Sequence, residues 1–184
     1  KLAEMGIAPN QSGTRLDTVE QANKLREGTG KINTLVKAGV KDLEPLAGKQ
    51  SLSALEEQAV AQARTPQNID AGLATGLEKE IRQEFALLRE AYGDAVDLSK
   101  LQDIKVARGK QVYDATRPNL GGANNLIRKT MQTQIEDVAR KFGFDDIAQL
   151  NREQGDILEA ANFLQSLDGK VLKGGRLKKY VFQI

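Results

Sequence analysis

The sequence predicts an all-α protein: an elongated antiparallel helical bundle with a C-terminal helical hairpin. Three observations point there. Leu (22) and Ala (21) are the commonest of the 184 residues and Gln (15) is plentiful, a helix-forming composition. β-branched residues are scattered, with no alternating run of strand length between turn signals, so a β-sheet is not expected. Two long stretches also carry apolar residues at helical spacing. In the first, Ile69, Leu73, Leu77, Ile81, Phe85, Leu88 and Tyr92 step by 4, 4, 4, 4, 3 and 4. In the second, Ala123, Ile127, Met131, Ile135, Val138 and Phe142 step by 4, 4, 4, 3 and 4. Both steps exceed the helical repeat on average, so each stripe drifts around its helix and touches more than one neighbour.

The elements follow in order. Pro9 to Gly13 reads as a loop, and Asp17 caps a first helix with Leu16 as the outer half of a hydrophobic staple. Its stripe is Val19, Ala22, Leu25, Ile32, Leu35 and Val36, and a kink or break is expected at Gly28 and Gly30. Gly39 to Gln50 is expected to be a connector punctuated by Pro45 and Gly48. Ser53-Ala-Leu-Glu56 is a capping-box pattern opening a helix to about Arg64, with a start one or two residues earlier also compatible; Thr65-Pro66 stops it. Gly93-Asp94 ends the first long stripe. Asp97 or Ser99 then caps a shorter helix to about Tyr113, and Arg117 to Gly122 is expected to be a turn.

At the corner Phe142-Gly-Phe-Asp145, Gly143 ends one helix and Asp145 starts the next. The last helix places Ile147, Leu150, Ile157, Ala161 and Leu164 on a heptad-like line, with polar Gln154 at one seam position. So short a link makes the two helices antiparallel. The expected organisation is a helical region over 1–66, a bundle core over 67–169 and a basic, Gly-containing tail over 170–184. Tyr92, Tyr113, Phe142, Phe144 and Phe163 are expected at helix ends, plugging the core. The chain starts on Lys1 and ends on apolar Tyr180-Val-Phe-Gln-Ile184, as a processed or partial piece would.

Composition also excludes chemistry. Without Cys or His there is no thiolate nucleophile, no Ser-His-Asp machinery and no usual zinc, Fe–S or haem ligand set. The carboxylates Glu78, Glu80, Glu84 and Glu90 lack the histidines of a diiron bundle and lie near Lys or Arg, as on a solvated helix face. Gly28-Thr-Gly30-Lys31 is followed by Ile32, which rules out a Walker loop. No enzyme, cofactor, metal or small-molecule substrate is expected. With 27 basic and 25 acidic residues the chain has no overall nucleic-acid signature.

Two features remain as interaction candidates. Lys170, Lys173, Arg176, Lys178 and Lys179 lie in an acid-free stretch suited to phosphates or an anionic membrane surface. The same residues equally suit a solvated terminus after a helix whose C-terminal dipole favours cations. Gly72 and Gly76 form a small-xxx-small pair that would let another helix approach closely, or mark a frayed first turn.

The order of a helix ending in Tyr113, then Arg117-Pro118-Asn119, the Ala123–Phe142 stripe, the corner, Asn151-Arg152-Glu153 and Gly174-Gly175-Arg176-Leu177 resembles helical regions of tailed-bacteriophage structural proteins. Those proteins are of the internal virion, ejection or tape-measure kind. The resemblance spans roughly residues 97–180 and carries over no functional residue. It implies a virion location, a repeated or ring-forming subunit, and partners that are further copies and other structural proteins of the particle. The alternative expectation is a helical adaptor that reaches nucleic acid or anionic membrane through its basic tail.

Overall fold

A computed structural model describes residues 18–70, 72–111 and 118–171. Among these residues the fold is all-α, with seven helices: α1 (Thr18–Ala47), α2 (Leu52–Ala63), α3 (Pro66–Asp70), α4 (Ala74–Tyr92), α5 (Leu98–Lys110), α6 (Pro118–Lys141) and α7 (Asp145–Val171). The one departure is a two-residue antiparallel ladder between β1 (Gln50–Ser51) and β2 (Ala95–Val96), too short for any alternating pattern to betray it. The chain forms two compact units, one from residues 1–31 with 156–184 and one from residues 32–155. In the first, Leu25, Thr29 and Ala161 are buried. The side chains of Val19, Ala22, Phe163 and Leu164, and all of Tyr113 and Arg117, lie outside the described residues.

Unit 32–155 holds a continuous apolar core. Leu55, Ala59 and Ala63 of α2 meet Leu77, Ile81, Phe85 and Leu88 of α4 and Ile127, Met131 and Ile135 of α6 there, with Leu98, Leu101 and Ile104 of α5. The 3–4 stepping of the long stripes thus marks the inner faces of α4 and α6. Phe85 is fully enclosed at mid-helix, whereas Phe142 and Phe144 are only partly buried and Tyr92 is exposed, with Lys100 over its ring. The largest core aromatic therefore sits in the middle of the bundle, not at its end.

Several boundaries differ from the sequence expectation. The first helix runs without interruption through Gly28 and Gly30 and continues to Ala47, absorbing most of the expected connector. Each glycine costs about 1 kcal/mol, but burial of Val36, Val40 and Leu43 on one face outweighs that. Leu35, expected in the stripe, points outward at 55% exposure. Helix α6 begins at Pro118, not after Gly122. Its proline suits the first helical position, and a Cβ on Gly122 would stand 2.7 Å from the Leu77 side chain. The first long stripe loses its opening turn, because Gly72 takes a left-handed φ of 68° and α4 starts only at Ala74.

The α2 cap is Ser51, whose Oγ accepts from Ala54 N–H. Ser53 is not the cap. Its backbone N–H and hydroxyl both donate to Asp94, which also accepts from Ser51 Oγ. Glu56 is free of any capping box and receives Arg82 and Arg89 from α4 instead. At the α6–α7 corner, Phe144 N–H bonds Ala139 O and Gly143 N–H bonds Arg140 O, with Gly143 at φ 79°. That is a Schellman ending followed by an acidic first turn, as expected.

Candidate functional site

The expected stripe residues Ile69 and Leu73 come out of the core. Ile69 is 57% and Leu73 46% exposed, on either side of the left-handed Gly72. Ile69 lines an open depression together with Arg64, Gly72, Ala74, Thr75 and Glu78. One wall is polar: the Arg64 guanidinium donates to both oxygens of Glu78, which also accepts from Arg82 Nε. These two guanidinium groups hold the Glu78 carboxyl below the usual carboxylate range. The head of α4 has no side-chain cap. Leu87, also exposed, lies further along α4.

Of the two small residues singled out, Gly72 is exposed with open space around it, and it makes the turn. Gly76 lies inside α4, and a Cβ there would stand 2.7 Å from Asn119 Nδ2 at the start of α6. The close approach at Gly76 is therefore made within the chain. Lys170 lies in the last turn of α7, though its side chain is not among those described; Lys173, Arg176, Lys178 and Lys179 lie outside the described residues. Of the four carboxylates read as a solvated face, Glu78 is ion-paired with Arg64 and Arg82, and half-buried Glu84 with Arg108. Among the described residues no cluster of acidic side chains is placed to hold a metal ion, and no helix is long and apolar enough to cross a membrane.

Sequence reasoning missed a buried polar seam. Lys105, on α5, is fully buried, and its Nζ donates to Asn151 Oδ1 and, at 2.7 Å, to Gln154 Oε1, both on α7. Gln102, one turn earlier on α5, donates to the same Gln154 oxygen and to Asn33 Oδ1 of α1; Gln154 Nε2 donates to Asn33 as well. No carboxylate pairs with Lys105 among the described residues. Burial, and secondly the Arg128 guanidinium, pull its ammonium down to about 7, against a smaller opposing pull from Glu136.

The seam continues along α6. Arg128 donates to Asn125 and Gln132, Gln132 donates to Glu136, and Glu136 accepts from Arg140 and from Arg152 of α7. Asn151 Nδ2 closes it by donating to the Gln132 carbonyl. The one sequence signal was Gln154, a polar residue on an otherwise apolar line. Nothing in the spacing around Lys105 separates it from an exposed lysine.

No protein-family model matches the chain, and no solved structure matches it.

Proposed function

We propose that the protein is a non-enzymatic structural module of a larger particle, of the kind tailed bacteriophages build, and that it acts by packing helices against further copies of itself and other structural proteins. The observation that supports this most directly is the exposure of Ile69 and Leu73. Both continue the apolar line of α4 in sequence, yet neither is covered by the chain's own core. A second copy laying apolar residues across the head of α4 would bury them, and the Arg64–Glu78 pair would form the polar rim usual at such contacts. The phage resemblance of residues 97–180 and the lack of Cys and His agree with a packing role.

The test is mass determination by light scattering from low to high micromolar concentration, for the native chain and for a double variant, Ile69→Lys with Leu73→Lys. Self-association weakened at least tenfold in the variant supports the proposal. A monodisperse native monomer at high micromolar concentration, with no particle association, overturns it. Removing residues 170–184 tests the adaptor alternative separately, because only that reading requires salt-dependent binding of DNA or anionic vesicles to be lost.

A further inference from the structure

The polar seam has an unusual donor count. A charged lysine carries three N–H donors, whereas a neutral amine carries two. Lys105 has two acceptors, Asn151 Oδ1 and Gln154 Oε1, and both are neutral amides. The two acceptors match the two donors of the neutral amine, and among the described residues a third proton has no acceptor bonded to it and no paired carboxylate in this fully buried place. Gln102 Oε1 is also buried without a partner, and no hydrogen bond joins it to Lys105 Nζ among the described residues.

Its position in the fold makes that mismatch consequential. Within residues 145–155 of α7, the apolar anchors Ile147 and Ala148 lie in the first turn. Ile147 fills the space left by the missing side chain of Gly39 on α1. Beyond that turn the fully buried positions are Asn151, Gln154 and Gly155, two amides and a glycine. Leu150 packs partly buried against the core, and the rest of this stretch is held to α1, α5 and α6 by hydrogen bonds.

We propose that Lys105 with the amides of Asn33, Gln102, Asn151 and Gln154 is a proton-sensitive latch, closing residues 145–155 of α7 onto α5 when the amine is neutral and loosening them when it is charged. The surrounding charges support that polarity. From α6, Arg128 opposes a second positive charge, and Glu136, which would favour one, already receives Arg140 and Arg152. From α7, Arg152 is directed to Glu136. From α1, Lys37 is exposed and paired with Asp103. The direction in pH follows. An opened or unfolded Lys105 titrates near 10.5 and the enclosed one near 7. Between those values the open state binds the extra proton, so closure strengthens as pH rises through the window and is weakest below it.

Amide hydrogen exchange tests this in the intact chain. Protection of residues 149–155 should rise by up to about tenfold per pH unit from 7 to 9, the slope of one linked proton. At pH 6.5 these amides should be at least tenfold less protected than mid-α4. In Lys105→Met the pH dependence should vanish. An unchanged slope in Lys105→Met overturns the latch, as does equal protection of α7 and α4 at every pH. If Lys105→Met does not fold, titration of the Lys105 Cε resonance in the native chain decides: a midpoint below 9 supports the proposal and one above 10 overturns it.

Discussion

Two sides of the unit formed by residues 32–155 are held by different physics. Around Phe85, helices α2, α4 and α6 meet through Leu, Ile, Met and Ala side chains that are almost wholly buried. Around Lys105, helices α1, α5, α6 and α7 meet through amides, a lysine, three arginines and the carboxylate of Glu136. Burial of hydrocarbon is non-directional and nearly indifferent to pH, so the first side tolerates small shifts and acts as a permanent clamp. Buried hydrogen bonds contribute little net energy when made and cost much when one partner is lost, so the second side is specific and conditional. One bundle thus has a side that fixes the fold and a side whose strength depends on a proton.

The largest expected effect lies on the apolar side. Phe85→Ala removes a fully buried ring from the centre of the core and should destabilise by about 3–5 kcal/mol, read from denaturant unfolding. The loss should be the same at pH 6.5 and pH 9. A loss that changed with pH would mean the two sides are not independent.

On the polar side, Asn151→Ala takes one acceptor from Lys105 and one donor from the Gln132 carbonyl, and should cost about 1–3 kcal/mol. Unlike the Phe85 change, it should also alter the pH dependence, because it removes one of the two groups bonded to the amine. Unchanged stability with an unchanged pH slope would remove Lys105 and its amides from any energetic role.

The contrast also explains what was legible in the sequence. Apolar positions announce themselves through spacing, so Leu77, Ile81, Phe85 and Leu88, and the line from Ala123 to Met131, were readable as inner faces. The corner was equally readable, because Gly143 and Asp145 carry local signals for stopping and starting helices. Other features depend on partners distant in sequence. Ser51 is held by Asp94, 43 residues away, and Gln154 meets Asn33 across 121 residues. The break at Gly72 cuts off the start of the stripe because the backbone turns left-handed there, while Gly122 is helical and leaves room for Leu77 beside it. A glycine does not reveal from sequence which of these it will do.

Gly39 tests the joint between the two sides, since Ile147 occupies the place of its missing Cβ. Gly39→Ala should cost about 1–2 kcal/mol through overpacking, despite the better helix propensity of alanine. Adding Ile147→Val should recover part of that loss, and the coupling of the two changes in a double-mutant cycle measures the contact. Purely additive effects would show that α7 does not lean on α1 at this point.

The smallest effect is expected at Asp94, an exposed residue that joins the start of α2 to the turn after α4. Hydrogen bonds from the Ser53 hydroxyl and backbone N–H, and then from Ser51, hold its carboxyl below the ordinary value of 3.8. The carboxylate therefore adds stability above that value and loses it as pH falls through the lowered one, the same direction as the Lys105 effect but well separated from it in pH. Asp94→Asn should shift the unfolding midpoint downward at pH 7, by less than any variant above, and the difference from the native chain should shrink toward pH 2.5. A difference that stayed constant with pH would mean Asp94 acts through shape rather than charge. The acid end of the stability profile would then report on other carboxylates, leaving the rise between pH 7 and 10 as the test of whether the two sides of the bundle respond separately.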